Sequence, residues 1–291
     1  MPMAGVIQTT PVDSTNSGLA ARYAGICATC AEYLPICLAC GRPVRGKYIE
    51  IDGGGTGNSD GPYCETCYRD RPPCDVCGAP LTIQHWQLSD GRLSCGRCHA
   101  TAIYAPAEAM ALYEEMKTVV AQQIGLSLNI PTGLALVDRV QLEEIIHQQA
   151  GVGSANSGTS SSASDEVLDP QRTLGIYARR GIRRGIYVQT GLPRLLLMQV
   201  AAHEYAHAWQ GENCPLLRDT LVREGFAEWV AYKILGYYGG SMLRLLANSA
   251  LRQQAHMQAR ADLYGQGLRW ALALESSQGI PAIFEACRTV S

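Results

Sequence analysis

Apolar residues recur at helical spacing through the C-terminal two-thirds of the chain, in two different ways. Over residues 106–124 they form one stripe (Ala109, Leu112, Tyr113, Met116, Val119, Val120) between polar positions, which predicts an amphipathic helix. Around residues 192–233 the stripe widens until polar positions become the exception. Leu195, Leu196, Leu197, Met198, Val200, Ala201 and Ala202 follow Pro193, a residue suited to the first turn of a helix. A second pattern of this kind (Val222, Phe226, Ala227, Val230, Ala231, Ile234, Leu235) comes soon after, and together they predict two helices packed on each other. Leu134–Val137, Thr173–Ala178 and Gly185–Thr190 predict strands, and Arg139–Gln149 a helix. Further helices are expected over about 241–258, 261–275 and 280–288.

The polar residues inside the two apolar helices carry the candidate chemistry. The first holds His203-Glu204-Tyr205-Ala206-His207, and the second holds Glu224 and Glu228. Four helical residues turn through about 400°, so His203 and His207 project from one face a turn apart. Two imidazoles so placed can share a tetrahedral Zn²⁺, with Glu204 beside the open coordination position. A third protein ligand is required, and Glu224 is the candidate. Glu228, one turn on, is assigned to accept a hydrogen bond from a ligand histidine and fix its tautomer. Its alternative is a salt bridge to an arginine such as Arg244 or Arg269. Ionisable groups are costly to bury without partners, which argues against a chance placement of these residues.

The N-terminal third has a different logic. Ten of the twelve cysteines form five Cys-x-x-Cys pairs: Cys27/Cys30, Cys37/Cys40, Cys64/Cys67, Cys74/Cys77 and Cys95/Cys98. Without a secretory signal this spacing favours metal ligation over disulfides. Cys37-Leu38-Ala39-Cys40-Gly41-Arg42-Pro43 is echoed by Cys74-Asp75-Val76-Cys77-Gly78-Ala79-Pro80, and each copy is followed by a closing cysteine pair. The repeat joins Cys37, Cys40, Cys64 and Cys67 in one four-thiolate zinc finger and Cys74, Cys77, Cys95 and Cys98 in the next; the alternative, a crossed pairing of the same cysteines, would leave the repeat unexplained. Cys27 and Cys30 resemble the closing half of a finger that lacks its opening half; they could complete a site with His85 or His99, or remain free thiols.

These patterns divide the chain into a disordered lead-in (1–22), a cysteine module (23–104) and a mainly helical domain (105–291) with a flexible Gly/Ser-rich loop at 151–164. The fold class expected is α+β. The basic cluster Arg179-Arg180-Gly181-Ile182-Arg183-Arg184 is expected as a solvated hairpin turn, the alternative being a surface for an acidic partner. A balance of 24 basic against 26 acidic residues gives no support for nucleic-acid binding through bulk charge. No apolar run is long enough to span a membrane, and the N-terminus carries no basic-then-apolar leader, so a cytoplasmic protein is expected.

Several blocks together resemble the ubiquitin-activated LIM-domain metallopeptidases that limit organ growth in plants. These are Asp90-Gly91-Arg92 before Cys95, Gly191-Leu192-Pro193-Arg194-Leu195-Leu196, the His203–Trp209 segment, Glu224-Gly225, and Tyr264-Gly265-Gln266-Gly267-Leu268-Arg269. The Glu-Gly-Phe-Ala run at 224–227 also looks like the segment that supplies the glutamate ligand in gluzincin aminopeptidases. The resemblance implies a gluzincin-like zinc peptidase domain preceded by a β-rich, LIM-like tandem finger module. It implies metal ligands at His203, His207 and Glu224, a catalytic Glu204, and protein substrates, with ubiquitin or a ubiquitin-linked regulator as a partner. Tyr-x-x-Gly at 264–267 resembles the gluzincin tyrosine motif, which makes Tyr264 the candidate to stabilise the oxyanion; Tyr232 and His256 stand in reserve. The fingers here carry only cysteine pairs, where a LIM finger often uses a histidine. The function expected is a zinc endopeptidase with one catalytic and two structural Zn²⁺ ions, its module regulating the enzyme or recruiting substrates. A catalytically silent zinc-finger adaptor is the competing reading.

Overall fold

The computed structural model describes residues 33–51, 61–154, 173–180, 183–240 and 244–289. The expected disordered lead-in and the Cys27/Cys30 pair lie outside the described residues. The fold is α+β, and the chain divides into two compact units between Thr101 and Ala102.

In the first unit the sequence repeat becomes a repeat of hydrogen bonds. Gly41 donates to the Cys37 carbonyl and Gly78 to the Cys74 carbonyl, each at 2.8 Å. Both glycines have left-handed backbones (φ 67° and 72°), which lets the chain fold tightly over the cysteine knuckle. Each knuckle leads to a short hairpin and a short helix. These are β1 (Tyr48–Glu50), β2 (Pro62–Cys64) and α1 (Glu65–Asp70), then β3 (His85–Gln87), β4 (Leu93–Cys95) and α2 (Gly96–Ala100). The halves share a core, because Ala79 of the second packs into the buried cluster of Cys37, Val44, Tyr63 and Cys67. Arg97 also donates to the Tyr63 hydroxyl at 2.6 Å.

The second unit begins three residues before the expected boundary. Ala102–Ile103 form β5, which pairs antiparallel with β9 (Leu192–Pro193) and so belongs with the helical unit. Helix α3 (Pro106–Ile124) has Pro106 in its first turn and ends on the left-handed Gly125. The sheet contains β6 (Gly133–Val137), β7 (Gly175–Arg180) and β8 (Arg183–Gln189) in the order β6-β8-β7; β6 runs parallel and β7 antiparallel to β8, which leaves β7 at an edge. Helix α4 (Arg139–Ser154) takes up residues 151–154, expected as loop; residues 155–164 of that loop lie outside the described set. The basic cluster falls in the antiparallel β7–β8 hairpin, whose paired strands reach further into it than expected. Strands β7 and β8 run to Arg180 and Arg183, and Arg184 forms an ion pair with Glu212.

Helices α5 (Arg194–Asn213), α6 (Thr220–Gly239), α7 (Arg244–Ala259), α8 (Leu263–Gln278) and α9 (Ile280–Thr289) complete the chain. Pro193 caps α5 from outside instead of lying in its first turn, because it is held in the β5–β9 pair. Asp219 starts α6 by accepting the Val222 N–H at 3.0 Å, and the helix is then buried along most of its length. Both phenylalanines of the chain pack on Trp209 and Trp229, Phe226 stacked on Trp209 and Phe284 edge-on to both tryptophans, which fastens α9 against α5 and α6.

Helix α6 crosses α8 at two glycines. A Cβ on Gly225 would lie 2.6 Å from the Gly267 carbonyl oxygen, and one on Gly267 would lie 2.6 Å from the Gly225 Cα. These obstacles are backbone atoms and cannot rotate away. Gly267→Ala is therefore expected to destabilise the domain by about 1–3 kcal/mol, the usual cost of overpacking. An exposed helix would instead gain about 1 kcal/mol from the same change. Thermal denaturation reads the sign directly, and a higher melting temperature would refute the close crossing.

Candidate metal centre

Among the described residues, three groups of side chains converge at ligand distance: Cys37, Cys40, Cys64 and Cys67; Cys74, Cys77, Cys95 and Cys98; and His203, His207 and Glu224. The cysteines group by consecutive pairs, as the repeat implies, and not in a crossed arrangement. A tetrahedral site with metal–sulfur bonds near 2.3 Å needs sulfurs about 3.8 Å apart. Cys40 and Cys64 stand 4.0 Å apart, and Cys77 and Cys95 3.8 Å. The Cys64 and Cys95 N–H groups donate to Cys37 and Cys74 sulfur at 3.3 Å, the same bond in each half. Burial works against charge on Cys37, yet N–H groups of Cys64, Cys40 and Ala39 bring its thiol down to about 7. Burial and neighbouring thiols push Cys67 up to about 12. Neither His85 nor His99 joins these groups. His85 bonds the Thr82 carbonyl and His99 stacks on Trp86 at 4.4 Å.

The third group sits where α5 meets α6. His203 Nε2 and His207 Nε2 lie 3.0 Å apart, and Glu224 Oε2 lies 3.4 Å from the first and 3.3 Å from the second. Ligand bonds of 2.0–2.1 Å around a tetrahedral ion give edges of about 3.3 Å, so the three atoms fit one face of such a site. Arg223 holds the other carboxylate oxygen, Oε1, at 3.0 Å, which leaves Oε2 facing the imidazoles.

Charge argues the same way. Glu204, Glu224 and Glu228 are all buried, at 8%, 6% and 5% exposure, around two imidazoles. Burial disfavours charge on His203, but its bond to Glu224 and the fields of Glu228 and Glu204 push it up to about 9. Burial likewise opposes charge on Glu224, but His207 and His203 hold its carboxyl well below the usual carboxylate range. Three buried carboxylates around two imidazoles suit the pocket to a cation, and Zn²⁺ would displace a proton held on His203. Metal binding near neutral pH is therefore expected to release protons, and apparent affinity to rise with pH towards about 9. Calorimetry in buffers of different ionisation enthalpy measures that release; a heat independent of buffer would contradict it.

Glu204 is held from the sheet. Its Oε2 accepts the Tyr177 N–H of edge strand β7 at 2.8 Å. Gly175 permits the approach, since a Cβ there would lie 2.5 Å from Val200 Cγ1 and 3.3 Å from Glu204 Cγ. Glu228 Oε1 lies 3.5 Å from His203 Nδ1 and 3.5 Å from Arg260 Nη1, within ion-pair reach of each. The arginine is Arg260; Arg269 instead donates to the carbonyls of Gln258 and Arg260, each at 2.7 Å.

Tyr264 stands in the first turn of α8, its ring 6.0 Å from that of His203, with the Arg260 guanidinium 4.7 Å above it. Gly265 makes this possible, because a Cβ there would lie 2.2 Å from the Arg260 carbonyl oxygen. Of the reserve residues, Tyr232 accepts a hydrogen bond from Gln258 at 2.6 Å and His256 is exposed on α7. Sequence reasoning missed Gly175, Gln210, Arg223 and Arg260. Only Gln210, a polar residue on the apolar α5, left a visible signal.

Comparison of the chain with protein-family models, with curated proteins and with solved structures finds no match in any of the three. Among the described residues, no helix is long and apolar enough to cross a membrane.

Proposed function

We propose that the chain is a zinc-dependent endopeptidase of gluzincin type, acting on protein substrates, with a LIM-like module that regulates it or recruits substrates. One observation carries this reading: two imidazole nitrogens and one carboxylate oxygen stand at tetrahedral edge lengths, with a second buried carboxylate, Glu204, in the next position of the same helix. A purely structural zinc site closes its coordination with four protein ligands, whereas three leave a position for water or substrate. Likeness to the LIM-domain peptidases of plants supports the same reading, and ubiquitin is the regulator that likeness suggests.

Zinc in this site would supply a Lewis acid for the scissile carbonyl and make a water acidic near neutral pH. The chain's own groups do the rest. Glu204 accepts the proton of the attacking water and delivers it to the leaving amine. The Tyr177 N–H fixes one carboxylate oxygen, so the other is the one that moves the proton. Tyr264, whose ring lies 6.0 Å from that of His203, is the group assigned to donate to the oxyanion.

The test is metal content together with casein and short-peptide cleavage by the full chain. We expect three zinc ions and hydrolysis that a chelator abolishes and added zinc restores. A zinc-loaded, folded chain that cleaves nothing would favour the silent adaptor.

A further inference from the structure

Gln210 lies three residues beyond His207 on α5, and only 4% of it is exposed. Its side chain makes two bonds of 2.9 Å. Oε1 meets His207 Nδ1, and Nε2 donates to the backbone carbonyl of Arg223. The second bond decides the first. A carbonyl can only accept, so the amide nitrogen must face Arg223 and the amide oxygen must face the histidine. An amide oxygen can only accept as well, so the proton belongs on His207 Nδ1. In neutral imidazole that leaves the lone pair on Nε2, the atom 3.0 Å from His203 Nε2 and 3.3 Å from Glu224 Oε2.

The other end of the bridge matters equally. Arg223 immediately precedes Glu224, so one buried amide ties a histidine of α5 to the backbone beside the carboxylate of α6. Cys287 of α9 contacts the same amide, and burial pushes its thiol up to about 12, which keeps it neutral. His203 Nδ1 instead faces the Glu228 carboxylate, at 3.5 Å. A neutral amide at His207 fixes the ring without adding a further negative charge to a site that already buries three carboxylates.

We propose that Gln210 is a positioning residue for metal binding: its amide locks His207 as the Nδ1–H tautomer and holds the ligands of α5 and α6 in register. The inference rests on the metal-binding part of the proposed function and does not depend on peptide hydrolysis.

The test uses the full chain with nitrogen-15-labelled histidine. In zinc-loaded wild-type protein, the His207 ring should show a protonated Nδ1 and a metal-bound Nε2. The opposite tautomer, or no zinc on His207, overturns the proposal without any mutation. Zinc affinity of the helical site is then measured by chelator competition in Gln210→Leu and Gln210→Glu. Leucine removes the acceptor at similar volume and should cost about ten- to a hundredfold in affinity, as outer-shell partners of metal ligands usually do. Glutamate keeps an acceptor for Nδ1–H but has no donor for the Arg223 carbonyl and adds a buried charge, so it should recover part of that loss and not all of it. Affinity within twofold of wild type in Gln210→Leu, or equal losses in both variants, would show that the amide is only a strut. Wild type that binds zinc with this tautomer yet cleaves no substrate would sink the peptidase reading and leave this one standing.

Discussion

Glu204→Gln is expected to keep zinc at the helical site and to lower peptide hydrolysis by about 10²–10⁴-fold, the range for loss of a general acid–base. The Gln amide and the Glu carboxylate are close in shape, and the glutamine oxygen can still accept the Tyr177 N–H that the carboxylate accepts at 2.8 Å. What disappears is the capacity to take a proton from water and return it. The metal should stay because Glu204 is not among the converging ligand atoms of His203, His207 and Glu224. Glu224→Ala separates the two roles: it removes one of those atoms and leaves Arg223 without its carboxylate, so zinc itself should be lost. Near-normal turnover by zinc-loaded Glu204→Gln would move the chemistry elsewhere.

Removing metal from the cysteine unit should have the largest effect on stability. Its buried clusters are small and composed largely of the ligands themselves: Cys37, Cys67, Cys74, Cys95 and Cys98, with Ala39, Val44, Tyr63, Ala79 and Leu81. Such a core cannot offset the conformational entropy of about seventy residues, at roughly 1–2 kcal/mol each for the backbone alone. Structural zinc contributes about 10–16 kcal/mol per site in finger peptides. A strong chelator should therefore abolish amide protection over residues 61–101. Helices α5 and α6, with their aromatic packing around Phe226, should remain protected. Cys98→Ser, at a fully buried ligand, should reproduce the loss in the second finger and loosen the first through Ala79 and the Arg97–Tyr63 bond. Unchanged protection over 61–101 in metal-free protein would show that packing alone suffices.

Much was legible in the chain because periodicity is a local property. The apolar stripe at 106–124 became α3 to the residue, and the two denser patterns became α5 and α6. The cysteine repeat specified its own pairing, since the knuckle, its glycine and the closing pair recur together. Element ends were less legible. Helix α4 continues into the Gly/Ser-rich stretch, and strands β7 and β8 extend through the basic cluster, because strand partners and flanking helices set those limits. The domain boundary moved from 104 to 101 because two residues, Ala102 and Ile103, found their partner at Leu192–Pro193.

For the centre, the sequence by itself determined which residues could share a metal: helical geometry alone places His203 and His207 on one face, and Glu224 follows from the next apolar helix. Only the tertiary structure decided what holds them. Gly225 and Gly267 allow α6 and α8 to cross in contact, and Gly175 brings the Tyr177 N–H to Glu204. Gln210 joins His207 to the Arg223 carbonyl, and Gly265 lets Arg260 settle between Glu228 and Tyr264. The physical reason is the range of each interaction. Ligand spacing within a helix is fixed by 3.6 residues per turn, whereas a close approach between elements depends on backbones far apart in the chain, and no periodicity encodes it.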